Sequence, residues 1–382
     1  MKKFIKVLSA AAIVSAAGLA LASCNGEKTT KKAKILIGLQ QTGDANTLAV
    51  ESILDSLKDE LNFTYEEVLL NSRDSVANLN TYNEKLGMGF NGIISMADLD
   101  AAQAKELIKN CEDAGCYYVG YKQEMTNAMK TPEVRDSKYF LGGVTDGEYD
   151  WELRGESLFN AISASTDRKI VLGSFSSQFF PKVTDALNRF KELVTKWNVE
   201  HPTDQFTYGE FSDHTNTWTC KFGTLADTEK ANLKAQDVDA IVAVNSVAKY
   251  VMPNLDPSIH LYNVGYDSTY DAQFGEDKQL RCEGSVPADS IILPLMRIIN
   301  AVNGADDIPV DDKIVVGNYV YFTKKAQLEA SKTKLITMDS QHLFSNALFT
   351  LDQAKALVGA PDKKLVDLVE SWTNEYVLNK LK

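Results

Sequence analysis

The stretch VDAIVAVNSVAKYVMPNLDPSIHLYNVGYDST, residues 238–269, reads as strand, helix, strand. Residues 240–244 (AIVAV) are a short apolar, partly β-branched run without alternation, the pattern of a strand buried on both faces of a parallel sheet. Asn245 ends that run, Ser246 is placed to cap a short helix over 247–252, and Pro253 stops the helix before a second apolar run over 260–264. Gly265, Tyr266 and Asp267 follow. Two successive parallel strands thus present Asn245 and Asp267 where they give way to loops at their carboxyl ends, and open α/β sheets bind ligands along that edge. Asparagine and aspartate also cap and turn chains after strands, so spacing alone leaves both roles open.

The same alternation extends outward. Toward the amino terminus, strands are expected over 33–39 (AKILIGL), 63–70, 92–96 (GIISM), 116–120 (CYYVG) and 139–144 (YFLGGV), with helices over 47–61, 76–86 and 98–107. The first of these helices carries Leu48, Val50, Ile53, Leu54, Leu57 and Leu61 at helical spacing. A helix through Trp151, Leu153 and Leu158 leads to a second set: strands over 169–175 (KIVLGSF) and 206–211, and helices over 181–197 and 225–235. Beyond the opening stretch come a strand over 280–286, a helix over 289–302 with Pro294 in it, and a crossing strand over 314–322 (IVVGNYVYF). Alternating β and α units of this length specify parallel sheets with right-handed crossovers, and 382 residues exceed the size at which one core keeps growing. Residues 331–382 fall outside the repeated plan. There, Leu351, Ala354, Leu357, Leu365, Leu368, Val369 and Trp372 are spaced for added helices. Gly87, Gly89 and Gly92 spell GxGxxG, but this one ends a helix and leads into a strand, the reverse of a dinucleotide fingerprint.

Composition narrows the partners. Residues 1–23 carry Lys2, Lys3 and Lys6, then an apolar run rich in small residues, then Leu21-Ala22-Ser23-Cys24, the plan of a secretory signal. Its ending resembles a bacterial lipobox, which implies that Cys24 becomes the lipid-bearing first residue of the mature chain. Residues 25–32 (NGEKTTKK) suit a flexible tether. Loss of three lysines and no acidic residue takes the formal charge from −12 to −15, which disfavours nucleic acid and anionic membrane surfaces as partners. Export would permit disulfides among Cys111, Cys116, Cys220 and Cys282, and the sequence leaves the pairing open; Cys111 and Cys116 stand at a helix end and the next strand start. His201, His214, His260 and His342 show no paired ligand spacing near the cysteines, so no metal or cofactor is expected.

The motif Asn245-Ser246-x-Ala248, the helix and strand after it, and Gly265-Tyr266-Asp267-Ser268-Thr269 resemble the sugar-binding branch of the type I periplasmic binding proteins, a fold shared with LacI-type repressors. The resemblance implies an α/β protein of two similar Rossmann-like lobes with parallel sheets, joined by a three-strand hinge. It divides the chain into a signal (1–23), a tether (24–32), an amino-terminal lobe (33–144, with 287–330 partly returning to it), a carboxyl-terminal lobe (145–286) and a helical extension (331–382), about which it says nothing. In the family the Asn and Asp of these motifs hydrogen-bond sugar hydroxyls, a role carried here to Asn245 and Asp267. Ser246 departs from the usual Asn-Asp start. A repressor would need a DNA-binding helix-turn-helix where the signal stands. The implied function is that of an extracytoplasmic, lipid-anchored receptor that passes a sugar to the permease of an ABC importer.

A site between lobes needs planar polar groups for hydroxyls and aromatic faces for the C–H side of a sugar. Gln40, Gln41, Asp98, Lys122 and Gln123 are the candidates from the first lobe; Phe179, Trp218, Asn245, Asp267 and Ser285 are those from the second. Lys122 and Gln123 stand where sugar-binding relatives commonly have Asp-Arg, and residues 182–188 (KVTDALN) lack the family's arginine, which leaves the particular sugar open. Trp218, in the loop before residue 225, suits a core position equally well. No GxSxG, HExxH or cysteine–histidine context points to an enzyme. Phe179, Phe180 and Trp218 would also suit a nucleoside-binding lipoprotein on the same fold.

Overall fold

The computed structural model describes residues 31–40, 42, 45–70, 74–97, 99–123, 125–145, 151–177, 182–209, 217–220, 227–234, 237–334 and 348–382. Thirteen strands lie among them: β1 (Ala33–Leu39), β2 (Phe63–Leu69), β3 (Gly92–Ser95), β4 (Tyr117–Tyr121), β5 (Phe140–Thr145), β6 (Lys169–Phe175), β7 (Thr207–Tyr208), β8 (Thr217–Cys220), β9 (Ala240–Ala243), β10 (His260–Asn263), β11 (Leu280–Ser285), β12 (Ile314–Val316) and β13 (Val320–Phe322). The first sheet runs β12-β5-β4-β3-β1-β2 and every pair in it is parallel. The second runs β13-β11-β10-β9-β6-β7, with β8 also on β6. Only β13 is antiparallel. The central strands β1, β3, β6 and β9 are buried along nearly their whole length, as unalternating apolar runs require when helices cover both faces.

Both sheets repeat one plan. The second strand of each set lies outside the first, and the third lies on its other side, so each sheet reverses direction between its first and third strands: between β1 and β3, and between β6 and β9. Those are the topological switch points, where loops diverge and leave a crevice at the carboxyl ends.

Three expectations change in detail. The edge of the second sheet is covered by two short strands, β7 on Lys169 and Ile170 and β8 on residues 172–175, where one strand over 206–211 was expected. Trp218 therefore lies on a strand and not in a loop. The crossing run 314–322 is broken: β12 joins the first sheet, β13 the second, and Gly317 donates its N–H to Thr145 O between them. The helix expected over 98–107 spans Ala101–Ala114.

The chain passes between sheets three times, after β5, after β11 and between β12 and β13. After β11 it returns as the helix Ile292–Val302, which packs on β1, β3, β4 and β5. All but the last turn of this helix is buried, because its outer side is covered by the carboxyl-terminal helix Asp362–Glu370 and the turn around Leu357 and Gly359 that follows the helix Leu351–Ala356. The extension thus completes the core of the first lobe. Asn300 fastens the cover, donating to Leu357 O and accepting from Gly359 N–H. Arg297, 2% exposed, is the one charged residue of the helix. Its guanidinium donates to Leu141 O, Lys313 O and Asp312 O and pairs with both oxygens of Asp362. The third helix, Asn374–Lys380, lies on β13, and Asn374 accepts the Tyr321 N–H, so the extension touches both sheets.

Removing one member of a buried, fully bonded charge pair costs about 3–5 kcal/mol. Arg297→Ala should lower unfolding stability by an amount in that range, read as a shifted urea midpoint with unchanged slope. Asp362→Asn, which keeps an acceptor for the guanidinium, should cost less.

Candidate functional site

The Asn245 side chain sits at the switch point of the second sheet. It is 4% exposed, and its Oδ1 accepts the N–H of Phe175 at 2.9 Å, stitching the carboxyl end of β9 to that of β6. Among the described residues its Nδ2 has no hydrogen bond to an acceptor, which leaves both of its N–H donors for acceptors in the crevice. The short helix Ala248–Val251 is not capped by Ser246. Its Val247 N–H donates instead to Oδ1 of Asn263, from the end of β10, at 2.8 Å. Gly265 then turns the chain at φ 108°, where a Cβ would come within 2.5 Å of the Ser246 side chain; only glycine fits. Its N–H is held by Gly284 O and by the Tyr319 hydroxyl at 2.9 Å. Asp267 follows, partly exposed. One carboxylate oxygen accepts the Thr269 N–H and caps the short helix Ser268–Gln273, and the carboxylate still faces outward with acceptor capacity to spare. Cap and contact group are compatible in one carboxylate.

The carboxyl edge of the first sheet faces this one across the hinge. Lys122, at the end of β4 with φ 51°, donates from Nζ to Asn46 Oδ1 at 2.6 Å and to Val286 O at 2.7 Å. The Tyr121 hydroxyl donates to Ala288 O. A left-handed lysine is conformationally costly, and here two anchors on different parts of the chain hold it. Gln123 points the other way: it is buried, donates to Ser95 O and the Tyr118 hydroxyl, and lines an interior cavity of about 200 Å³ with Leu107 and Met125. Gln40 is exposed just beyond β1. Gln41, Asp98 and Phe179 lie outside the described residues, as do the side chains of Trp218 and Ser285. The structure therefore brings Asn245, Asp267 and Lys122 to the two facing edges and turns Gln123 inward.

No family model matches the sequence, and no curated protein matches it either. Solved structures do. An ABC transporter solute-binding protein from Agrobacterium vitis, bound with α-D-tagatopyranose, superposes with a TM-score of 0.52 at 12% identity, covering 78% of this chain and 96% of that one. A periplasmic solute-binding protein from Actinobacillus succinogenes with bound D-allose gives 0.53 at 10% identity, over 77% and 98%. A sugar ABC transporter protein from Yersinia enterocolitica gives 0.51 at 14% identity, over 93% and 97%. The fold is that of the type I periplasmic binding proteins. At these identities the likeness concerns the binding-protein fold alone.

Within that fold, Asn263 holds the Val247 N–H and Tyr319 the Gly265 N–H, and motif reading passed over both of them and over Glu283. Glu283 is the most unusual. It stands on β11 opposite Phe322, is wholly buried, and neither carboxyl oxygen has a hydrogen-bond partner among the described residues. The Asp267 N–H faces it without reaching hydrogen-bond geometry. Burial first, and then the charges of Asp271 and Asp267, push its carboxyl well above the ordinary range against the opposing pull of the Asp267 N–H and Lys332. A lone acidic residue inside the run LRCEGSV was its only trace in the sequence.

The folded chain keeps a proton on Glu283 that the unfolded chain releases near the usual carboxylate value of about 4.3. Stability therefore falls as pH rises above that value. Glu283→Gln should raise the urea midpoint at pH 7, with the gap to wild type closing toward pH 4. A gap that widens in acid would show that Glu283 is ionised in the fold.

Proposed function

We propose that this chain is the lipid-anchored solute receptor of an ABC importer, and that it encloses a sugar or a related polyhydroxylated molecule between its two lobes. The observation that carries the reading is the facing of two carboxyl edges, each with a switch point, across a hinge of three chain crossings. At the second of those switch points stands Asn245, with Asp267 further along the same edge. A planar amide and a carboxylate have fixed donor and acceptor directions, which suit adjacent hydroxyls and penalise a ligand that lacks one. The bound sugars in neighbours of the same fold support the ligand class, and the standing of those neighbours as ABC transporter solute-binding proteins supports the permease as partner. The lipobox-like residues 21–24 support the anchor and an extracytoplasmic location. The role needs binding and release, and no catalytic group.

The ligand class is tested by thermal shift against monosaccharides, sugar alcohols and nucleosides. A ligand present at about 100 times its Kd adds about 2.7 kcal/mol of stability. Stabilisation by nucleosides and by no sugar would overturn the sugar reading.

Asp267 has two tasks that two substitutions separate. Asn caps helices about as well as Asp, so Asp267→Asn should leave the melting temperature near that of wild type. It should still weaken binding, because a charged hydrogen bond contributes about 1.5–3 kcal/mol and about 1.4 kcal/mol is tenfold in affinity. Asp267→Ala should lose both affinity and, through the cap, about 1 kcal/mol of stability. Unchanged affinity in both variants would place the site elsewhere. For the anchor, labelled fatty acid should attach to the wild-type protein and not to Cys24→Ser.

A further inference from the structure

The helix Ala101–Ala114 ends in a Schellman arrangement. Gly115 is left-handed at φ 66°, its N–H donates to Glu112 O, and the Cys116 N–H reaches back to Cys111 O at 2.8 Å. In this closure the residue after the glycine meets the side chain of the residue whose carbonyl it bonds, and the contact is ordinarily between apolar groups. Here both residues are cysteines. Both are fully buried, and the Cys116 thiol lies 3.8 Å from Tyr117 O at the start of β4. The neighbouring Cys116 and then burial hold the Cys111 thiol well above the usual thiol range, and both sulfurs are shut off from solvent once the chain is folded. Cys282 stands apart, buried on β11 of the other sheet.

We propose that Cys111 and Cys116 are joined as a disulfide in the exported protein, fixing the last turn of this helix to the start of β4. The inference rests on the export reading above. The two thiols lose two hydrogens and one S–S bond forms; the two electrons and two protons pass to the disulfide of an extracytoplasmic thiol–disulfide oxidant, which leaves as a dithiol. Transfer runs through a mixed disulfide and needs an accessible thiolate. It therefore takes place before helix and strand close over the sulfurs. The closure fixes helix end and strand start together, bringing the two side chains into contact as a disulfide's short Cβ separation demands. The enclosed loop is short, so the entropic gain is small. The effect is local: fraying at the helix end is suppressed and the origin of β4 is held, the strand whose far end carries Tyr121 and Lys122.

Trypsin tests the pairing directly, because the peptide 110–122, between Lys109 and Lys122, contains both cysteines. Exported protein is quenched in acid, its free thiols are alkylated in denaturant, and the digest is weighed. The expected peptide is unalkylated and two hydrogens light, becoming doubly alkylated only after prior reduction. In Cys111→Ala, Cys116 should be alkylated without reduction. Double alkylation of the wild-type peptide without reduction, in protein shown to be exported, overturns the proposal. If the chain is not exported, the export reading fails, and refolding the full chain in excess oxidised glutathione decides the pairing alone. The internal bond supports it there; free thiols or glutathione adducts overturn it.

Discussion

The buried guanidinium of Arg297 is the interaction on which the closing of the first lobe's core most depends. It lies inside a helix buried for all but its last turn, and its five bonds gather groups from distant parts of the chain: Leu141 O before the first crossing, Lys313 O and Asp312 O before the third, and both oxygens of Asp362 in the extension. A charge so placed is tolerated only when every donor finds an acceptor. Its position explains why residues 348–382 are needed. Without them the apolar outer face of Ile292–Val302 would meet water, and Arg297 would lose its only carboxylate partner among the described residues.

The hinge can be understood from the same contacts. A clamp must hold its lobes in register while leaving their relative angle adjustable, since a ligand shifts the balance between open and closed forms only through its different affinity for them. Ties across the hinge among the described residues include Lys122 to Val286 O, Tyr121 to Ala288 O, and Gly317 to Thr145 O. The extension adds a lever on both sides, fastened to the first lobe through Arg297 and Asn300 and to β13 through Asn374. On the second lobe, the turn at Gly265 is clasped from beneath by Gly284 O and the Tyr319 hydroxyl, so the Asp267 carboxylate is carried by a rigid support and not by a free loop.

Much of this was legible in the sequence. The unbroken apolar runs of β1, β6 and β9 and the helical spacing between them lead to two parallel sheets, and the ends of the runs lead to Asn245 and Asp267. What was hidden depended on contacts between distant segments. Ser246 is a good cap by its chemistry, yet Asn263 reaches the Val247 N–H first, because β10 lies beside β9. Gln123 has the chemistry of a ligand contact, but the left-handed turn at Lys122 sends it into the lobe. The strand at 217–220 has no apolar run of its own and exists because β6 offers it an edge. Glu283 and Arg297, two buried ionisable residues, each look like an interruption of an apolar stretch until their surroundings are known.

The most direct measurement is a crystal structure of the protein grown with whichever sugar stabilises it in solution. The account predicts density for the sugar between the carboxyl edges of the two sheets, with the Asn245 Nδ2 and the Asp267 carboxylate within hydrogen-bond reach of its hydroxyls. A sugar bound elsewhere, with both of these side chains left as they are here, would contradict it.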